Sequence, residues 1–229
     1  MEKKVMVISL GGSIIIPDKI NFEFLEKFKK EIERNFGRCK FVVVCGGGSI
    51  ARKYIEALRK EGKSERELAY AGIRATRMNA LFLMQFFGKE TNHKLPKDMN
   101  EIRNDLSKHD LVICGALRYA DNETSDGTAA KLARFLKSEF INITNVRGLY
   151  TSDPRKDRNA KFIPLITWKE FDEMANAVKF KAGQHFVLDQ EAARIIKENR
   201  IKTYIIDGNA SNMGNIFRGK KSVGTIIEG

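Results

Sequence analysis

Phe41-Val42-Val43-Val44-Cys45-Gly46-Gly47-Gly48-Ser49-Ile50-Ala51-Arg52 carries the fold in one stretch. An unbroken apolar run, β-branched at its centre, predicts a strand buried on both faces, which calls for helices on both sides of its sheet. The run stops at three glycines, and a helix is expected from about Ile50 to Lys60. A helix that starts at such a turn offers unpaired N–H groups and partial positive charge, so an anion is favoured there. Arg52, one turn in, adds a planar multi-donor cation. The bland use of the same glycines is a tight helix entry.

The same rhythm extends in both directions. Lys4 to Leu10 reads as a strand and Phe22 to Phe36 as an amphipathic helix with Asn21 as N-cap. Ser64-Glu65-Arg66-Glu67 is a capping box that opens a helix running to about Phe87, and Thr167 to Glu170 repeats the pattern. Further strands are expected at Asp110 to Cys114, Phe140 to Thr144, Thr203 to Asp207 and Val223 to Glu228. Helices are expected near Asn100 to Lys108, from Ser125, and at Gln190 to Asn199. Such alternation implies a mostly parallel sheet with helices on both faces. Ligands in these sheets sit beyond the carboxyl ends of the strands. Both glycine loops, the Gly115 to Ser125 loop and the Asn145 to Asp153 loop are therefore expected on one edge.

With 229 residues the chain can form one large domain or two lobes sharing a core, and it shows no repeat or linker-like boundary. No apolar run approaches the ~18 residues a membrane span needs. Val5 to Leu10 is too short for a signal-peptide core, so a soluble, cytoplasmic protein is expected with no membrane partner. Cys39, Cys45 and Cys114 lack pairing or metal-ligand spacing and read as buried reduced thiols. The formal charge of +12 invites nucleic acid as a partner. The basic residues are instead interleaved with glutamates along helices, as in Glu23 to Arg34, and no basic tail or zinc finger stands out; no nucleic-acid partner is expected.

The first strand also ends in glycines, Gly11-Gly12-Ser13, where backbone can approach a phosphate without a Cβ in the way. Taken alone this could be a simple turn. Ile14 to Ile16 are read as continuing extended, and no Gly-Lys-Ser/Thr follows, so it is not a Walker loop. Gly46, Gly48 and Ala51 fit the dinucleotide fingerprint, but the acidic residue such sites carry ~20 positions on is absent; Glu65 and Glu67 fall in a helix cap. Asp126 lies in a first helical turn, where the macrodipole explains it or where it orients a cation, a metal-bound phosphate or a lysine. Asp153 before Pro154 is a turn residue or a ligand contact.

Together these segments resemble the amino-acid kinase superfamily, in its archaeal-type uridylate kinase branch. The resemblance is carried in family order by Ser9 to Ser13, Gly46 to Ile55, Gly72 to Ala80, Ser125-Asp126, Thr144 to Pro154, Lys181-Ala182-Gly183, Leu188-Asp189, Ile206 to Gly208 and Gly224 to Ile227. It implies a single domain over residues 1–229, a three-layer αβα sandwich with a mostly parallel, twisted central sheet. It implies transfer of the γ-phosphate of ATP, with Mg²⁺, to UMP for pyrimidine synthesis, and assembly as a homo-oligomer, by resemblance a hexamer. Gly11, Gly12, Ser13, Gly48 and Arg52 would hold the ATP phosphates; Thr144, Tyr150 and Asp153 would bind the ATP nucleoside side. Gly47, Thr124 and Ser125 would contact UMP, and Asp126 matches the aspartate that organises the charged groups of the transfer site. No dedicated protein metal site is implied.

Several positions depart from the family pattern. Ser9 stands where many members carry a lysine, a charge that Lys181 or Arg52 would replace. Ala69 replaces an acidic UMP contact, Arg147 a common aspartate, and Leu117-Arg118-Tyr119 a small-residue turn. Kinases of isopentenyl phosphate, an alternative in the same superfamily, place a histidine just after the second glycine loop; here the next is His93. A non-catalytic nucleotide- or oxyanion-binding module is the alternative of another class. Phosphoryl transfer needs positioning and neutralisation of charge rather than a covalent nucleophile, which suits this inventory.

Overall fold

The structure is a computed structural model, and it describes residues 3–119, 124–154, 156–177 and 187–229. Strand β1 (Lys4–Leu10) is followed by a single helical turn α1 (Gly12–Ile15), helix α2 (Phe22–Arg34), β2 (Cys39–Cys45) and α3 (Gly48–Lys60). The long helix α4 (Glu65–Phe87), α5 (Met99–Lys108) and β3 (Leu111–Cys114) come next. Then follow α6 (Ser125–Leu136), β4 (Glu139–Ile143) and the short strands β5 (Leu149–Tyr150), β6 (Phe162–Ile163) and β7 (Leu165–Ile166). Helices α7 (Trp168–Ala177) and α8 (Gln190–Glu198), β8 (Thr203–Ile206), α9 (Ala210–Phe217) and β9 (Thr225–Ile227) complete the chain.

Seven strands form one sheet in the order β3-β2-β1-β4-β8-β9-β7. The pairs from β3 through β8 are parallel; β9 runs antiparallel to β8, and β7 follows β9. Period-two alternation divides β1 between two cores. Met6, Ile8 and Leu10 pack with Phe28, Leu83 and Met213 under α2, α4 and α9, whereas Val7 packs with Ala129, Phe171 and Ile195 under α6, α7 and α8. The result is the expected α/β sandwich of three layers with a mostly parallel sheet. All three cysteines are buried and unpaired, and among the described residues no helix is long and apolar enough to cross a membrane.

Both capping boxes form. Ser64 N–H donates to Glu67 Oε2 at 3.0 Å and Glu67 N–H returns to Ser64 Oγ at 3.4 Å; Thr167 and Glu170 repeat this at 3.0 and 3.3 Å. The helix charges pair along the surface as the sequence pattern requires, Lys27 with Glu23 and Lys60 with Glu56.

Two local readings are corrected. Ile14 and Ile15 are helical, because Gly11 C=O accepts from both their N–H groups and their side chains enter the core under α2. Tertiary burial here outweighs the β-preference of isoleucine. Helix α9 stands where no element was expected between Asp207 and Val223; Asn209 caps it by accepting from Asn212 N–H at 3.1 Å, and its apolar side covers the β1–β2 core.

The chain moves outward from β1 through β2 and β3 on one side and from β4 to β8 on the other. The order therefore reverses between β1 and β4, the point beyond whose carboxyl ends such sheets bind ligands.

Candidate active site

The two glycine loops lie at that reversal in direct backbone contact. Gly11 N–H donates to Ile143 C=O at 3.0 Å, which ties the first loop to the end of β4, and Gly46 N–H donates to Leu10 C=O at 2.9 Å, which ties the second to β1. A Cβ on Gly12 would lie 2.0 Å from Gly48 N, and one on Gly46 would lie 2.4 Å from Gly12 N. Gly48 has φ +63°, the left-handed region open to glycine. Any side chain would drive the loops apart. The N–H groups of Gly12, Ser13, Gly47 and Gly48 donate to no acceptor among the described residues, leaving four donors on the two touching loops. Buried Asn79 on α4 sets the orientation of the second loop by donating to Gly46 C=O at 2.7 Å. Arg52 is exposed on the first turn of α3.

An acidic corner faces the loops across β1. Thr124 caps α6, accepting from Asp126 N–H at 3.2 Å, and Ser125 follows it half-buried. Ser9, fully buried on β1, donates its hydroxyl to Asp126 Oδ1 at 2.5 Å. Asp189 ties this turn to α8: its Oδ2 accepts from Thr124 N–H, Thr124 Oγ1–H and Gly127 N–H at 2.9, 2.6 and 3.1 Å, and its Oδ1 accepts from Ala192 N–H at 2.6 Å. Crowding by protein pushes the Asp126 carboxyl up from 3.8 to about 7, the nearby Asp189 carboxylate adds to the rise, and the bonds from Ser9 and Thr124 oppose it. Carboxyls shifted this far by burial and a like charge are concentrated at functional sites.

The segment after β3 is clamped to α4. Ala116 N–H donates to Thr76 Oγ1 at 2.9 Å, while Arg77 donates to Ala116 C=O at 3.0 Å and Leu117 C=O at 2.5 Å. Gly47 looks toward the same helix, for a Cβ there would stand 3.6 Å from Gly72 C=O and from Ala75 Cβ. Tyr119 meets Tyr70 with ring centroids 5.5 Å apart, close in sequence to Ala69. The departure from a small-residue turn thus builds an aromatic contact instead.

Thr144 follows β4, its N–H donating to Ile206 C=O at 2.9 Å. Tyr150 and Asp153 sit on the arm formed by β5 and β6: the Tyr150 ring packs 5.4 Å from Phe162, and Asp153 C=O accepts from Lys156 and Asp157 N–H. Thr225 pins that arm, accepting from Leu149 N–H and donating to Ile163 C=O. Lys181 lies outside the described residues. The structure thus joins Gly11, Gly12, Ser13, Gly47 and Gly48 in one cradle, with Thr124, Ser125 and Asp126 across from it, and holds Tyr150 and Asp153 within the β5–β6 arm.

Sequence reading did not assign roles to Asn79 or Asp189, nor a bond to Ser9. Signals for them existed. Ser9 and Asn142 are polar interruptions of apolar strands and are register partners, and Asp189 has the N-cap position of a helix.

A doubly wound sheet with a glycine cradle at its reversal and an acidic helix start beside it defines a phosphate-handling α/β protein. Residues 4–207 match the amino acid kinase family, and the chain belongs to it. It is 37% identical over 223 residues to a uridylate kinase of Archaeoglobus fulgidus, covering 97% of this chain and 99% of the relative. A uridylate kinase of Methanocaldococcus jannaschii is 35% identical over 231 residues, covering 98% and 99%. The crystal structure of uridylate kinase from Archaeoglobus fulgidus superposes with a TM-score of 0.84 at 36% identity, over 97% of this chain and 99% of that one. UMP kinase from Ureaplasma parvum shares the fold, with a TM-score of 0.79 at 21% identity and full coverage of both chains.

Proposed function

We propose that the protein transfers the γ-phosphate of ATP to the phosphate of UMP, giving ADP and UDP. The observation that carries this reading is the interlocked glycine cradle at the sheet reversal: four N–H donors on the two loops have no acceptor among the described residues. Oriented donors of this kind stabilise the charge that spreads over the transferring phosphoryl oxygens, without reorganising during the reaction. Arg52 adds a cation at the same helix start. Gly47, Thr124 and Ser125 bind the UMP side, Thr144, Tyr150 and Asp153 the ATP nucleoside side, and Asp126 keeps the charged groups in register. Lys181 is proposed to approach the same centre. Family kinship with uridylate kinases at 35–37% identity supports UMP as acceptor.

Mg²⁺ fits this site in the manner usual for it, held chiefly by substrate phosphates and water. Among the described residues no three His, Cys, Asp or Glu side chains group as a cage. When bound, Mg²⁺ neutralises phosphate charge.

The protein is further proposed to be cytoplasmic, to fold as one domain over residues 1–229, and to assemble as a homo-oligomer, a hexamer by family resemblance. The test of function is a coupled assay with MgATP. UMP is expected to be converted faster than AMP, CMP or isopentenyl phosphate; ATP binding without turnover of any of them would instead identify a nucleotide-binding module.

A further inference from the structure

Strand β1 is apolar after Lys4 except at one position, Ser9, which has no exposed surface. Burying a hydroxyl is unfavourable unless it is hydrogen-bonded, and alanine or valine would fill a β-strand core without that demand. Ser9 shares the face of Val7, directed at α6, and its hydroxyl donates to Asp126 Oδ1 at 2.5 Å. Its register partner on β4, Asn142, is also polar and buried, and donates to Val187 C=O at 2.5 Å, two residues before Asp189. Across the β1–β4 reversal, therefore, one polar side chain grips the Asp126 carboxylate and its neighbour grips the segment that carries Asp189.

We propose that Ser9 is a positioning residue for phosphoryl transfer: its hydroxyl locks the Asp126 carboxylate of α6 to the strand that leads directly into Gly11 and Gly12. The inference rests on the kinase reading and deepens it. Asp126 occupies the first turn of a helix, and the Ser9 bond fixes it to the rigid centre of the sheet. Ser9 is a neutral donor, so it orients the carboxylate without cancelling its charge, as an ammonium in the same place would. Where the carboxyl is ionised, its negative charge stays available to align cationic groups around the phosphates. With Ser9 in this role, the missing first-strand lysine is replaced in its orienting function by hydrogen bonding, and only its charge must come from elsewhere.

The test is a double-mutant cycle on UMP turnover. A hydrogen bond to a charged group contributes enough that Ser9→Ala should lower kcat by about tenfold to a hundredfold, with KM for ATP and UMP within about twofold of wild type and the thermal transition still single. Ser9→Thr, which keeps the hydroxyl, should recover most of that loss. In an Asp126→Ala background, Ser9→Ala should add little, because the carboxyl oxygen that accepts its hydroxyl is gone. A full additional loss in that background, or a raised KM with unchanged kcat, would overturn the proposal while leaving the kinase reading intact. Absence of UMP turnover in the wild-type protein would overturn the kinase reading and the proposal with it.

Discussion

Arg52 and Asp126 are both proposed to act at the cradle, and their environments set different expectations. Arg52 is exposed on α3, so Arg52→Ala should leave the melting temperature nearly unchanged and lower kcat by about 10²- to 10³-fold, the usual cost of removing a donor to transition-state charge. Unchanged kinetics would remove it from the site. Asp126 is held at about 7 instead of 3.8. A carboxyl raised by folding binds its proton more tightly in the native state, so its contribution is full below the unfolded value of 3.8 and is lost as pH rises through about 7. Asp126→Asn should therefore melt higher than wild type at pH 8, by the equivalent of about 1–3 kcal/mol, with the difference shrinking toward pH 4. Turnover should fall sharply in the same variant. Calorimetry across this pH range checks the first expectation, and initial rates check the second.

Among the elements, the start of α6 depends on a side chain from another helix. Asp189 accepts three hydrogen bonds from the start of α6 and a fourth from Ala192 of its own helix α8, and Asp189→Ala would strip the partners from all four donors. A loss of about 3 kcal/mol in urea denaturation is expected, combined with weakened UMP binding through Thr124 and Ser125. The element boundaries that the sequence made legible are those with local causes. Ser64–Glu67 and Thr167–Glu170 cap their own helices, and Phe41 to Cys45 is apolar enough to be a central strand in any context. Helix turn α1 was not legible, because isoleucines at positions 14 and 15 prefer strands locally and are helical only because the β1–α2 core receives their side chains. For α9, eight residues with mixed polarity give weak periodicity, and its apolar contacts lie on strands and helices far away in sequence.

At the scale of the molecule, one sheet shared by two cores favours a single cooperative transition. Scanning calorimetry should show one unfolding event that ATP shifts upward, since a ligand bound only by the folded state stabilises it. Two resolved transitions would divide the proposed domain. In light scattering the protein is expected at six times the mass of its chain, and a monomer would remove the hexamer. By itself the sequence determined the α/β rhythm, the carboxyl-edge placement of the loops and the identity of the glycine cradle, because strand hydrophobicity, caps and glycine turns act over a few residues. Tertiary structure alone decided that Gly12 and Gly48 meet backbone to backbone, that Ser9 from β1 grips Asp126 from α6, and that Asp189 binds that helix from a distance of more than sixty residues. Those pairings follow from the order β2-β1-β4 in the sheet, which sets side by side segments that no local interaction connects.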